Sequence, residues 1–317
     1  MHELSRRTFL AGVTSTAAVA GCRSPIGGIP RHRSDYHGIR IGAITYSFAQ
    51  MAAFPRGCTK DFILGAQLGS VEMMDRDFER DIGVRFRDIP AKLLTKSQKV
   101  AISRWRETAD MCPLEDFRAS YADAGIGMHI VKFGDIGCKW MYSWKEAEYM
   151  FRATRALGAR IITREVPKPE EWIAFKDTAE RLDGLAREYD VDIAFHNHAQ
   201  IAADTYDGAL LGYSDHFKIN FDIGNYVAAN DDDPCAFVRK YRDRLASIHI
   251  KDRRRNNGPE LPLGTGDVPL EKLFATLKAE NIDVPCDIEL EFPIPNGSDA
   301  VRETLNCNAW CRAHIGA

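Results

Sequence analysis

Residues 193–198, Ile193-Ala194-Phe195-His196-Asn197-His198, end an apolar run with two histidines at i and i+2. On a β-strand that spacing puts both imidazoles on one face. Val191, Ile193 and Phe195 then point one way, and Ala194, His196 and His198 the other. Alone, the segment fits equally well a strand that ends in a solvated turn. Three later segments repeat the pattern. In 218–225, Ile219, Phe221 and Ile223 oppose Asn220 and Asp222. In 247–252, Ile248 and Ile250 oppose Ser247, His249 and Lys251. In 286–292, Ile288, Leu290 and Phe292 oppose Asp287, Glu289 and Glu291. A parallel strand covered on both faces reads as almost unbroken apolar residues. These four instead carry ionisable groups near their C-terminal ends. If they are parallel neighbours, two imidazoles and two or three carboxylates converge. Buried charges in such a cluster require a metal ion or tight pairing.

The rest of the chain alternates in the same way. Strand patterns fall at 39–48, 70–75 (with Glu72 opposite Val71 and Met73), 127–133 and 160–166, the last carrying Glu165. They precede those at 193–198, 217–223, 246–251 and 286–291. Helical periodicity marks 59–68, 103–124, 144–157, 169–189, 234–241, 269–280 and 298–314, with a short helix at 206–211. The charged stretch 76–99 reads as an irregular excursion. Eight strand–helix units imply a parallel sheet closed into a (β/α)8 TIM barrel, a single α/β domain over 38–317. A two-domain doubly wound fold would need a linker in the middle, and the sequence has none there.

The chain has 317 residues and a net charge of −3. That balance gives no basic footprint for nucleic acid. The run 253–255 reads as a solvated loop or an anion contact. At the N-terminus, Ser5-Arg6-Arg7-Thr8-Phe9-Leu10 matches the twin-arginine export pattern, and the apolar run after it is too short for a spanning helix. Val19-Ala20-Gly21-Cys22 reads as a lipoprotein cleavage box. The expectation is therefore a signal peptide over 1–22, a Pro/Gly/Arg-rich linker over 23–37, and a periplasmic or membrane-anchored lipoprotein whose only membrane contact is the signal or a lipid on Cys22. Seven further cysteines, at 58, 112, 138, 235, 286, 307 and 311, are scattered and odd in number, which predicts mostly free buried thiols.

With these pieces assembled, the chain resembles the xylose isomerase-like TIM-barrel family, which includes sugar-phosphate isomerases and epimerases and the endonuclease IV branch. The motifs that carry the likeness are FDIGN at 221–225, HIKD at 249–252, LGTGDV at 263–268 and IELE at 288–291, in that order. The resemblance implies one divalent metal (Mn, Co, Zn, Mg or Fe) at the C-terminal mouth, held by groups from strands five to eight. Here those would be His196, Asp222, His249 and Glu289, with Glu291 in place of Glu289 if the register shifts by two. His196 stands where many members have a glutamate. The implied chemistry is isomerisation or epimerisation of a sugar through an enediolate. Glu289 would act as base, and His198, Glu165 or Lys251 as the second acid–base group or oxyanion contact. A lyase acting on a keto-sugar, glycoside or inositol uses the same first step. Two other classes remain in view. A nuclease of the endonuclease IV type would need more histidines and a basic face. A carbohydrate-binding lipoprotein without turnover would tolerate loss of the strand-five glutamate.

Overall fold

Strict alternation lets one strand serve two surroundings, apolar side chains toward a helical layer and polar ones toward a barrel interior. The computed structural model shows this arrangement and describes residues 33–51, 55–138, 141–168, 171–199, 201, 204–207 and 210–316. The expected signal peptide, Cys22 and most of the linker lie outside these residues.

The eight barrel strands are β1 (Ile39–Ile44), β2 (Ser70–Met74), β3 (Gly127–Lys132), β4 (Ile161–Glu165), β5 (Asp192–His196), β6 (Phe217–Asp222), β7 (Leu245–Ile250) and β8 (Cys286–Ile288). Each pairs in parallel with its sequence neighbour, and β8 pairs with β1 through Cys286 and Ile41, so the sheet closes. Around it run α1 (Thr59–Gly65), α2 (Asp75–Asp81), α3 (Lys96–Thr108), α4 (Cys112–Asp123), α5 (Trp144–Ala156), α6 (Trp172–Tyr189), α7 (Ile223–Ala229), α8 (Pro234–Lys240), α9 (Leu270–Ala279) and α10 (Ala300–His314). Among the described residues no helix is long and apolar enough to cross a membrane.

Ile193, Phe195, Ile219, Phe221, Ile248 and Ile288 are buried in the core. Phe195 meets Phe217 edge-on at 5.1 Å and Phe175 of α6 at 5.9 Å. Replacing Phe195 with alanine would cost about 3–5 kcal/mol through lost burial and the cavity left behind. The opposite faces bury Asn220, Asp222, Ser247, His249, Asp287 and Glu289 inside the barrel.

Several boundaries differ from the sequence pattern. The strand at 39–48 ends at Ile44, and Thr45–Phe48 is a 3-10 turn. The stretch 76–99 is not irregular throughout. It holds most of α2 and the start of α3, which opens on a capping box of Thr95 and Gln98. The helix at 103–124 is two helices, broken where Ala109 is extended and restarted with Pro113 in the first turn of α4. No α-helix covers 206–211 among the described residues; a 3-10 turn, Leu211–Tyr213, follows. The end of the linker is part of the fold. Asp35–Tyr36 pairs antiparallel with β1, and buried Ser34 donates to the Ile41 carbonyl at 2.5 Å. The seven described cysteines are free.

Candidate metal centre

β5 stops at His196, and the next two residues leave the ladder for separate tasks. Asn197 turns its amide toward β6. Its Oδ1 accepts from the Asp222 backbone N–H at 2.8 Å, and its Nδ2 donates to the Asp222 carbonyl at 2.9 Å. It thereby supplies both bonds that a continuing strand would have made. Asp222 ends β6 and caps α7. Its Oδ1 accepts from the Asn225 N–H at 2.7 Å, and its Oδ2 from the Asn225 side-chain amide at 2.6 Å. This explains the spacing of FDIGN. The glycine has a reason too, because a Cβ on Gly224 would press to 3.0 Å from the Lys251 Cγ. In HIKD the aspartate is structural. Asp252 accepts from the N–H groups of Gly266 and Val268 at 2.8 and 3.1 Å, which folds the LGTGDV turn back on β7.

His196, Asp222, His249 and Glu289 each offer a ligand atom within 4.8 Å of the others, and all four are buried. Glu289 continues the β8 ladder by one bond, its N–H donating to the Ile250 carbonyl at 3.1 Å. Glu291 lies outside the cluster, partly exposed and paired with Lys251, so the register shift is not needed.

The imidazoles are oriented in advance. Asn220 donates through Nδ2 to Glu72 at 3.0 Å and to Ser247 at 2.5 Å, so its Oδ1 is the acceptor for His196 Nδ1 at 2.6 Å. His196 therefore holds its proton on Nδ1 and keeps the Nε2 lone pair free. Burial, followed by the nearby Lys132 ammonium, pushes its pKa down to about 3, so the ring is neutral. His249 faces Glu72 through Nε2 at 2.9 Å and Glu289 through Nδ1 at 3.2 Å. Burial works against its protonation, but the two carboxylates outweigh burial and hold its pKa well above the ordinary value. Burial likewise opposes ionisation of Glu72, and His249 overcomes it, bringing that carboxyl to about 2.

Sequence reasoning set Glu72 opposite Val71 and Met73 but gave it no role. Its Oε1 accepts from Thr163 at 2.7 Å and its Oε2 from Asn220 and His249, so it sits beneath the cluster as the carboxylate that aims His249. The signal available in the sequence was a lone glutamate in an otherwise apolar strand. Asn197 and Asn220 were also missed as positioning groups.

The ring of His198 meets that of His196 edge-on at 5.0 Å, and with Glu165 the two histidines offer ligand atoms within 4.8 Å of one another, as their spacing predicts. His198 lies past the strand with its side chain 57% exposed, and its Nε2 meets Glu165 Oε2 at 2.7 Å. Lys132 approaches the other oxygen of Glu165 at 2.9 Å. The hydrogen bond to Glu165 holds the His198 pKa above its ordinary value. Burial opposes ionisation of Glu165, but Lys132 and the hydrogen bond with His198 outweigh it and hold the carboxyl well below its ordinary range. Lys251 is buried among Asp222 Oδ2 and Glu289 Oε2, both at 3.1 Å, and Glu291.

The donor set fits a divalent cation. Two imidazole nitrogens and two carboxylates from four adjacent strands form a mixed N/O set, compatible with Zn, Mn, Co or Fe. The charge balance agrees. Burial pushes the Asp222 carboxyl up despite Lys251, and Glu289 adds repulsion. Two like charges about 4 Å apart near a protein surface cost about 4 kcal/mol, which a dication between them reverses.

A (β/α)8 barrel with such a centre at the C-terminal ends of its strands defines a class of enzyme scaffold. A family model described as the xylose isomerase-like TIM barrel matches residues 92–313, and the chain belongs to that family. Among curated relatives, an inosose dehydratase from Lacticaseibacillus casei is 32% identical over 95 residues, which covers 29% of this chain and 32% of that protein. The chain thus matches about a third of that relative's length. Among solved structures, IOLI with a bound zinc atom superposes with a TM-score of 0.62 at 12% identity, covering 87% of this chain and 98% of the other. The 3-keto-D-glucoside 4-epimerase YcjR from E. coli superposes with a TM-score of 0.61 at 15% identity, covering 87% and 99%. At these identities the structural likeness shows the fold.

Proposed function

We propose that this protein is a metal-dependent lyase that removes water from a small polyhydroxylated ketone, a keto-sugar or inosose, beginning with abstraction of the proton next to the carbonyl. The observation that carries this reading is the asymmetry of the mouth. On the β8 side stands an ionised carboxylate, Glu289. On the β4–β5 side stands the His198 imidazole, paired at 2.7 Å with Glu165, which favours its protonated form. The dehydratase names of the matched relatives lend support.

His196, Asp222, His249 and Glu289 would hold a divalent cation, whose contribution is Lewis-acid polarisation of the substrate carbonyl. The protein's own groups do the rest. Burial raises the Glu289 carboxyl, but Lys251 and then His249 draw it well below its ordinary range, so it is ionised at neutral pH. Its Oε2 faces His249 and Lys251, and Oε1 has no hydrogen-bond donor among the described residues. Oε1 accepts the α-proton, and the C–H electron pair becomes the new C=C bond. The hydroxyl on the next carbon leaves with the proton of His198 as water, and Glu165 fixes the ring for that transfer. The neutral His196 cannot act as a second carboxylate base.

The isomerase or epimerase reading has one observation in its favour. Glu289 follows β8 and His198 follows β5, so two separate acid–base groups stand at the mouth, one to take a proton and the other to return it. Incubating the metal-loaded protein with inososes and keto-glycosides in D2O, followed by NMR, separates the two. Loss of water with a new alkene signal supports the lyase. Deuterium incorporation with rearranged stereochemistry and no loss of water supports the epimerase. An exported location, which the twin-arginine motif at residues 5–10 supports, belongs to the same proposal.

A further inference from the structure

The ammonium of Lys251 occupies the ground that a metal ion would need. Its side chain is 2% exposed, and its Nζ lies 3.1 Å from Asp222 Oδ2 and 3.1 Å from Glu289 Oε2. Both carboxylates belong to the four-residue cluster. Its third partner, Glu291, is outside the cluster, with a side chain 30% exposed at the rim. The stem is held where Gly224 packs against it, and beyond that point a lysine side chain is a flexible chain of methylenes. A compact point charge on a flexible stem therefore has two carboxylates inward and one outward. An ammonium and a dication a few ångströms apart in a buried site repel strongly, so they cannot share the inner pair.

We propose that Lys251 is a built-in counter-cation, which neutralises Asp222 and Glu289 before the metal arrives and withdraws to Glu291 when it enters. The idea rests on the metal-dependent reading above and deepens it. The lysine keeps its charge throughout, and only its position changes. Such a device keeps the metal-free barrel from carrying unpaired buried carboxylates. It also weakens metal binding, because the ion must displace a resident cation, and it leaves the ammonium at the rim, where it can meet a substrate oxygen.

The test is calorimetric titration of Mn2+, Co2+ and Zn2+ into the metal-free full chain, together with thermal melts with and without the ion. Lys251→Met is expected to bind metal about tenfold tighter than wild type. Its metal-free form should melt at a lower temperature than wild type, and saturating Mn2+ should narrow or reverse that difference. Glu291→Gln removes the outward resting place and is expected to weaken metal binding by several-fold up to about tenfold. Glu291 is not in the cluster, so this second variant carries the test if Lys251→Met does not fold. Unchanged or weaker binding by Lys251→Met overturns the inference, as does unchanged or tighter binding by Glu291→Gln. Wild-type protein that binds none of the three ions overturns the metal reading itself, a result distinct from either variant outcome.

Discussion

β8 contributes two acids to the barrel interior, two residues apart on one face, and they meet very different company. Asp287 points toward the floor, where Oδ2 pairs with His129 Nε2 at 2.8 Å and Ser70 Oγ meets His129 Nδ1 at 2.9 Å. Gly42 makes room there, since any Cβ at that position would collide with the Asp287 Oδ1. Asp287 Oδ2, the His129 ring and the Ser70 hydroxyl are paired in one chain of bonds, while the buried Asp287 Oδ1 against Gly42 has no hydrogen-bond partner among the described residues. Glu289 points toward the mouth and joins Asp222, Glu72, His196, His249 and Lys251. Acids outnumber the resident cations there, and a bound metal would take the place of the proton on the His249 nitrogen that faces Glu289. The floor holds one acid against one imidazole. The mouth is short of positive charge until a cation is bound. In barrels of this type the C-terminal face carries chemistry and the N-terminal face stability, and here one strand displays both.

The comparison breaks most sharply at the ligands. His249→Ala or Asp222→Ala should abolish activity and weaken metal binding on the order of 100-fold or more, measured by equilibrium dialysis with elemental analysis. Full metal occupancy in either variant would mean the ligand set is wrong. Glu289→Gln should lower turnover by about 100-fold or more, a larger effect than its loss of metal affinity, if proton abstraction depends on it. Glu72→Gln should cost about 10–100-fold in metal affinity, because His249 loses the carboxylate that aims it. Asp287→Asn, the matched change at the floor, should leave metal affinity unchanged and cost about 1–3 kcal/mol in chemical denaturation. Equal effects of Glu72→Gln and Asp287→Asn on metal binding would erase the distinction between mouth and floor.

A smaller effect tests whether matched charge elsewhere behaves as structure. Buried Arg106 binds Asp75 at 2.5 Å, Glu79 at 2.8 Å and Glu146 at 2.9 Å, which ties α2, α3 and α5 together. Burial raises the Asp75 carboxyl, but Arg87 and Arg106 outweigh it and leave its folded pKa below the ordinary value. A lowered folded pKa means the contribution is fully present above the unfolded value and is lost as pH falls through the folded one. Stability should therefore decline below about pH 4, and Asp75→Asn should flatten that acid limb in urea melts.

The pattern of period two made much of this legible. His196, Asp222, His249 and Glu289 stand at the ends of strands whose apolar faces are clear in the sequence, and the parallel order brings those ends together. Glu72 was not legible in the same way. It comes from β2 and reaches His249 of β7 across the barrel, and no local spacing records a contact between residues so far apart. The stretch 76–99 misled for a related reason. Glu79, Arg80 and Arg87 are all buried in ion networks, and helical segments rich in charge lack an apolar stripe to announce them. His198 failed as a strand residue because Asn197 ends the ladder by satisfying Asp222 with its side chain, a role that an Asn between two histidines does not advertise.

The central claim is that four distant residues form one cation site at the barrel mouth. It is tested most directly by metal content per chain after loading with Mn2+ or Zn2+ and exhaustive dialysis, with wild type, His249→Ala and Asp287→Asn treated side by side. The account predicts one ion per chain in wild type and in Asp287→Asn, and none in His249→Ala. A His249→Ala protein that is folded and still retains its ion would contradict it.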